Sequence, residues 1–362
     1  MVPLAIALKK KNEFEIKICV TAQHRQMLDQ VLKLFNIKPD FDLNIMRSSQ
    51  DLTDVTCEVL QGLRGVFLQW KPDVVLVHGD TTTTLGASLA AFYQGISVGH
   101  VEAGLRTGNL LSPWPEEANR KITSVLTNWH FAPTEQAKIN LLNEGVKSTE
   151  VFVTGNTVID SLLIIRDQYL CNPAISSNLA AKFSYLDLNK RLILVTGHRR
   201  ESFGGGFERI CQALASIASN HDDVEIVYPL HLNPKVREPV QRVLGGLENL
   251  FLIEPLEYLS FVYLMNRSYM ILTDSGGVQE EAPTLGKPVL VMRDTTERPE
   301  AILSGAVKLA GTSTNQIISL TEELLIDQEL YRGMARSKNP YGDGDASKCI
   351  VKILSTILDD AR

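Results

Sequence analysis

Val74–Val77 is an apolar, largely β-branched run that stops at His78-Gly79-Asp80, and Ser97–Val101 stops in the same way at Glu102-Ala103-Gly104. A strand that is apolar on both faces is buried on both faces, so it belongs in a parallel sheet with helices on either side. Between the two runs, the small residues Gly86–Ala91 suit a helix packed closely on such a sheet. The alternation persists along the chain, with strands expected at Trp129–Pro133, Thr149–Val153, Arg191–Val195, Val224–Pro229, Leu250–Ile253, Met270–Thr273 and Val289–Met292. The fold class is therefore α/β, in two α/β units. A chain of 362 residues, 44% hydrophobic and 22% charged, is long enough for two separate cores.

The polar segment Asn172–Ser177, carrying Pro173, reads as the linker. This gives a first domain over 1–170 and a second over 171–339. Asn339-Pro340-Tyr341-Gly342-Asp343-Gly344 breaks the pattern, and the last apolar helix, Ile350–Leu358, is expected to cross back so that 340–362 joins the first domain. The chain opens on a helix-like segment, Met1–Leu8, and then a strand, Phe14–Val20. Doubly wound domains open with a strand and its phosphate-binding turn, so a preceding strand is expected to be absent.

Acids arrive where ligands bind. Open α/β sheets take ligands outside the carboxyl ends of their strands, and two consecutive strands deliver Asp80 and Glu102 to that edge. Asp80 also has an ordinary reading, as the cap of the helix that follows. Glu116 and Glu117 stand in the first turn of a helix entered through Pro113-Trp114-Pro115. Acids there favour the helix dipole, so one is expected to be structural and one catalytic.

The second half carries anion sites instead. Gly197-His198-Arg199-Arg200-Glu201-Ser202-Phe203-Gly204-Gly205-Gly206 is a glycine-rich, basic turn ahead of a helix, and Asp274-Ser275-Gly276-Gly277 opens another, with Ser275 as its cap. Glu281 lies deeper along that helix, within reach of a ribose, and Arg298 is a phosphate candidate. Acids in one half and phosphate-binding helix starts in the other describe an enzyme that takes a nucleotide-linked substrate in an interdomain cleft. Carboxylates from different elements can surround one carbon from both faces, as acid/base inversion requires.

Other classes are disfavoured. A net charge of −6 argues against coating nucleic acid. No stretch of about 20 apolar residues spans a membrane, and the N-terminus lacks a signal peptide's features, which reads as a cytoplasmic protein. The 5 cysteines and 7 histidines show no metal-ligand spacing, so neither a metal nor a cofactor is implied.

The blocks His78-Gly79-Asp80-Thr81-Thr82-Thr83, Val101-Glu102-Ala103-Gly104-Leu105-Arg106-Thr107, Pro115-Glu116-Glu117-Ala118-Asn119-Arg120, Gly197-His198-Arg199-Arg200-Glu201, Asp274-Ser275-Gly276-Gly277 and Asn339–Gly344 together resemble the non-hydrolysing bacterial UDP-N-acetylglucosamine 2-epimerases. The resemblance implies two Rossmann-like domains facing across a cleft, as in GT-B glycosyltransferases, and a homodimer. It implies interconversion of UDP-N-acetylglucosamine and UDP-N-acetylmannosamine for surface polysaccharides, through elimination of UDP to a 2-acetamidoglucal. Asp80, Glu102 and Glu116 then take the acid/base positions, and His198 faces the leaving diphosphate. Ser275, Gly276, Gly277, Glu281 and Arg298 match the phosphate and ribose contacts, with Phe261 near the uracil. Gln23, Gln26, Arg199 and His231 resemble a second, activating substrate site. Family members begin with a strand and a Gly-Thr-Arg-Pro-Glu-Ala-Ile-Lys turn that this sequence does not contain, so its start is expected to be misplaced or trimmed, with activity in question if the shorter form is real. Competing readings are a hydrolysing 2-epimerase and a nucleotide-sugar binding protein without turnover.

Overall fold

The computed structural model describes residues 1–362 other than 24, 48, 198, 200–203 and 361–362. In chain order the elements are α1 (Val2–Lys9), β1 (Cys19–Val20), α2 (Arg25–Leu34), β2 (Phe41–Asp42), α3 (Leu52–Gln69), β3 (Val74–His78), α4 (Thr82–Tyr93), β4 (Ser97–Val101), α5 (Glu116–Leu126), β5 (Trp129–Ala132), α6 (Glu135–Asn143), β6 (Val151–Val153) and α7 (Thr157–Ile164). After a π-helical stretch, Ile165–Leu170, come α8 (Pro173–Lys182), β7 (Arg191–Thr196), α9 (Gly205–Asn220), β8 (Val224–Pro229), α10 (Pro234–Leu244), β9 (Leu250–Ile253), α11 (Tyr258–Arg267) and β10 (Met270–Thr273). The chain ends with α12 (Gly276–Thr284), β11 (Val289–Val291), α13 (Pro299–Leu303), β12 (Val307–Leu309), α14 (Thr314–Ile326), α15 (Gln328–Ala335) and α16 (Ala346–Asp360).

The chain divides into two compact units, Met1–Ser161 with Tyr341–Arg362, and Leu162–Pro340. The segment read as a linker, Asn172–Ser177, is the start of α8. The Asn172 side-chain oxygen accepts the Ala174 and Ile175 N–H groups at 3.0 and 3.4 Å, and Pro173 occupies the first turn. A polar residue followed by proline signals a helix entry as readily as a linker.

In the unit Leu162–Pro340 the sheet order is β12-β11-β10-β7-β8-β9, with every pairing parallel. The chain moves outward from β7 through β8 to β9, then returns to β10 on the other side. The tips of β7 and β10 are therefore the topological switch point, where such sheets hold ligands. Ile193, Val195, Leu272 and Leu290 are buried in one cluster with Leu214, Ile217, Val240 and Leu324 from the flanking helices.

The other unit holds a parallel sheet β3-β4-β5-β6 and a separate parallel pair β1-β2. Both rest on one core: Val75 and Val77 of β3, Cys19 of β1 and Phe41 of β2 pack with Val55, Val59 and Val66 of α3. The helix is fixed by a capping box in which Asp51 and Asp54 each accept the other's backbone N–H. On the opposite face, Leu4 and Leu8 of α1 meet Ile350, Val351 and Leu354 of α16, so the last helix completes this unit. The expected strand Phe14–Val20 is reduced to Cys19–Val20, the part that pairs with Phe41–Asp42. The residues before it border a cavity of about 350 Å³, which they share with Trp70, Val74, Leu76 and Leu354. A strand without a neighbour has no ladder to complete its backbone hydrogen bonds, which explains the shortening. Among the described residues no helix is long and apolar enough to cross a membrane.

Candidate active site

At the end of β3 the chain turns through Gly79, at φ 69°, whose N–H donates to Val101 O at 3.0 Å. Glycine adopts that left-handed conformation without a Cβ penalty. The cap of α4 is Thr81, whose hydroxyl accepts the Thr84 N–H at 3.4 Å, so the capping role considered for Asp80 is filled by its neighbour. Asp80 instead faces Arg120: Nη2 and Nε lie 2.7 and 3.0 Å from its Oδ2, and the Asn119 amide donates to its carbonyl at 2.9 Å.

Glu102 leaves β4 at φ 64°, a conformation that costs a non-glycine residue about 1 kcal/mol or more. The turn folds its carboxylate back over the neighbouring strand tip, 3.5 Å from where a side chain on Gly79 would stand. Its Oε2 accepts the Asn156 Nδ2–H at 2.9 Å and lies 3.7 Å from His78 Nε2. Burial lowers the His78 pKa to about 3, opposed by Asp80. That imidazole is neutral at pH 7 and acts on Glu102 as a dipole.

The two acids of α5 separate cleanly. Glu117 is fully buried, accepting from Arg120 Nη1 at 3.1 Å and from the Gly108 N–H at 3.0 Å. It is the structural member of the pair. Glu116 is half-buried, and its carboxylate has no hydrogen-bond or ion-pair partner among the described residues. Beneath the tips, His100 Nε2 bonds Gly79 O at 2.7 Å, next to Asp80. Arg120, Asn156 and His100 were not singled out from the sequence. Arg120 had a visible signal, a cation three residues after Glu117; the other two depend on contacts distant in sequence.

In the unit Leu162–Pro340, Thr196 and Thr273 are paired in register at the tips of β7 and β10, their hydroxyls 2.5 Å apart. Thr273 Oγ1 accepts the Ser275 N–H at 2.9 Å. Ser275 occupies the N-cap of α12, but its hydroxyl makes no capping bond, which corrects the role expected of it. Gly276 lies against Arg298: a Cβ there would stand 2.4 Å from the guanidinium Nη1. Gly277 has no neighbour within 4 Å of an added Cβ, leaving open space beside the helix start. Arg298 is buried and held by Glu280 at 2.6 Å and Glu297 at 2.7 Å. Burial alone would raise the Glu297 pKa, but Arg298 and Arg293 hold it at about 2.

Glu281 is buried, and its Oε1 accepts the Tyr258 hydroxyl at 2.6 Å. Burial raises its pKa to about 7, opposed by that bond. Phe261, half-buried, stands one turn after Tyr258 on α11. Arg199 donates its backbone N–H to Asp274 at 2.7 Å and places Nη2 3.6 Å from Glu297. His198 lies outside the described residues. Of the other residues expected at an activating site, Gln23 accepts from Thr83 Oγ1 at 3.4 Å, Gln26 is exposed on α2, and His231 Nδ1 accepts the Asn233 N–H at 3.1 Å. Gln23 and Gln26 are in the first unit, and Arg199 and His231 in the second.

The sequence profile described as UDP-N-acetylglucosamine 2-epimerase matches residues 6–355. The chain belongs to the UDP-N-acetylglucosamine 2-epimerase family. Within the family, the UDP-N-acetylglucosamine 2-epimerase of Yersinia pestis is 62% identical over 354 residues, 98% of this chain and 94% of that protein. The epimerase of Escherichia coli K12 is 62% identical over the same shares. The crystal structure of the Neisseria meningitidis epimerase bound to UDP-GlcNAc superposes with a TM-score of 0.94 at 54% identity, covering 98% of this chain and 96% of that one. The fold is accordingly α/β with two Rossmann-like units, the GT-B class of these epimerases.

Proposed function

We propose that this protein is an isomerase that interconverts UDP-N-acetylglucosamine and UDP-N-acetylmannosamine by inverting C2 of the sugar. The observation that carries the reading is the strand-tip cluster, in which Asp80 and Glu102 stand on adjacent tips and Glu116 opens the next helix. The family supplies the substrate class.

The C2 hydrogen has no neighbouring carbonyl to acidify it, so the C1–oxygen bond must loosen first. Its electron pair leaves with UDP, positive character develops at C1, and a carboxylate takes the C2 proton as the C1–C2 double bond forms. A second acid then protonates C2 of the resulting 2-acetamidoglucal from the opposite face, and UDP returns to C1. Asp80 is paired with Arg120, Glu102 is bonded by Asn156, and Glu116 is the acid left without a fixed partner among the described residues. The Leu162–Pro340 unit supplies the nucleotide contacts: the start of α12 with Arg298 for the diphosphate, Glu281 for the ribose and Phe261 for the uracil. His198 is assigned to the leaving diphosphate by its place in the family motif. Gln23, Gln26, Arg199 and His231 are assigned to an activating site by resemblance to the family alone.

Incubation with UDP-N-acetylglucosamine in deuterated water, followed by proton NMR, is expected to show UDP-N-acetylmannosamine carrying deuterium at C2. Release of free N-acetylmannosamine would instead identify a hydrolysing enzyme, and UDP binding without exchange would identify a binding protein.

We also propose a homodimer through α3, α4 and α5, which pack in sequence against one another. Leu68, Phe92, Tyr93, Ile122 and Val125 on these helices are exposed, Val125 by 85%. Exposed apolar side chains on adjacent elements mark interfaces. Light scattering is expected to give a dimer mass for the wild type and a monomer mass for Val125→Glu; a monomeric wild type removes the proposal.

A further inference from the structure

The segment Asn339–Gly344 stands apart in the sequence, and nothing in the chemistry above uses it. Tyr341 is fully buried, and its carbonyl accepts the Asn156 N–H at 2.7 Å. The two stretches pass at backbone contact. A Cβ on Gly155 would stand 3.1 Å from Tyr341 O and 3.5 Å from Gly342 Cα, and one on Gly342 would stand 3.4 Å from Gly155 Cα. Both glycines have positive φ, 81° and 116°, so no other residue fits either position without strain. Just beyond, Asp160 Oδ1 accepts the Ser347 N–H at 2.8 Å and ties the start of α16 to α7.

Asn156, buried between these contacts, has its amide orientation decided by its neighbours. Its side-chain oxygen accepts the Val158 N–H at 3.3 Å, as a helix N-cap does, which turns Nδ2 outward to Glu102 Oε2 at 2.9 Å. We infer that the Tyr341–Gly342 segment is a clamp that fixes Asn156 so that its amide aims the Glu102 carboxylate, which makes Asn156 a positioning residue for the epimerisation. This rests on the reading of Glu102 as one of the acids. The left-handed backbone of Glu102 brings its side chain over Gly79, which carries no side chain of its own to contact it. A donor fixed by a helix start and a second chain segment supplies the missing constraint.

The decisive variant is Asn156→Asp. It keeps the oxygen that caps α7 and the backbone bond to Tyr341, and places an oxygen instead of a donor against Glu102. Its kcat is expected to fall by about tenfold to a hundredfold, while KM and the UDP Kd stay within about threefold; Tm falls as well, because the new carboxylate is buried against Glu102, so kcat is read on folded protein well below the melt. Gly342→Ala, remote from substrate, is expected to lower kcat in the wild-type background and to add nothing in the Asn156→Asp background, because both act through one contact. The two variants are read independently. Asn156→Asp protein with wild-type kcat overturns the inference, as does a rise in KM matching the loss of kcat/KM, which would make Asn156 a substrate contact. Glu102→Gln protein that binds UDP and turns over normally overturns the inference together with the reading beneath it; if Glu102→Gln is inactive and Asn156→Asp unimpaired, the clamp alone falls.

Discussion

Arg120→Met is expected to lower the stability of the N-terminal unit by about 3–5 kcal/mol and to abolish turnover, whereas Glu116→Gln leaves stability untouched and loses turnover alone. The asymmetry follows from burial. Arg120 neutralises Glu117, which is fully buried, and the same guanidinium holds Asp80 at 2.7 Å. Without it, Glu117 retains one backbone donor, from Gly108, for a charge shut away from water. Removing both charges is far cheaper than removing one, so Arg120→Met/Glu117→Gln is expected to recover most of the lost stability while remaining inactive. Glu116 contributes only a few tenths of a kcal/mol through the helix dipole. Its loss as an acid or base is expected to lower kcat by about 10²–10⁴-fold. Thermal melts and C2 exchange assays on the four proteins check this. Wild-type melting of Arg120→Met, or unaltered exchange in Glu116→Gln, would sink the assignment of roles within α5.

The pairing of Glu116 with Glu117 shows what was legible in the sequence and what was not. That one acid is structural follows from helix-dipole chemistry, but which one is decided by the rotation of α5, which buries Glu117 and not Glu116. Strand positions were readable because a doubly covered parallel strand is a continuous apolar run; Val74–His78 and Ser97–Val101 appear where those runs predict. β12 was not read, since a run of three residues at a sheet edge carries no pattern. Ser275 was expected to cap α12, and sequence gives no way to see that its hydroxyl is left out of the cap. Asn156 and Tyr258 were missed for a common reason. Each orients an acid 54 or 23 positions away, and nothing local in the sequence reports such a partner.

Two buried histidines of the first unit and Glu281 of the second contribute to stability with opposite dependence on pH. His100 and His130 are neighbours in register on β4 and β5, both buried, and burial lowers their pKa values to about 4 and about 3. Neither Nδ1 has a hydrogen-bond partner among the described residues, so a proton there would lack solvation. Above pH 6.5 the rings are neutral, folded or unfolded, and contribute no pH dependence. Below 6.5 the unfolded chain takes up protons that the folded unit refuses, so stability falls as pH drops from 6.5 towards 4, by on the order of 3 kcal/mol for each histidine. That is a large part of the roughly 5–15 kcal/mol that holds a domain together. Glu281 runs the other way. Its folded pKa of about 7 lies above the ordinary 4.5, so its own contribution is full below 4.5 and falls by on the order of 3 kcal/mol as pH rises to 7, whereas Glu297 in the same unit, held at about 2, loses its contribution as pH falls below 4.5. All 3 tryptophans, Trp70, Trp114 and Trp129, are in the first unit, so their fluorescence follows that unit while far-UV circular dichroism follows both. The tryptophan melting temperature is expected to fall steeply between pH 6.5 and 4.5, with His100→Gln and His130→Gln flattening the fall. Glu281→Gln is expected to raise the stability of the second unit at pH 8 and to change nothing at pH 4. A tryptophan transition that stays level from pH 7 to 5 would mean that the two imidazoles are hydrated in the folded protein, and the buried histidine pair beneath Asp80 and Glu102 would lose its place as the acid-sensitive element of the fold.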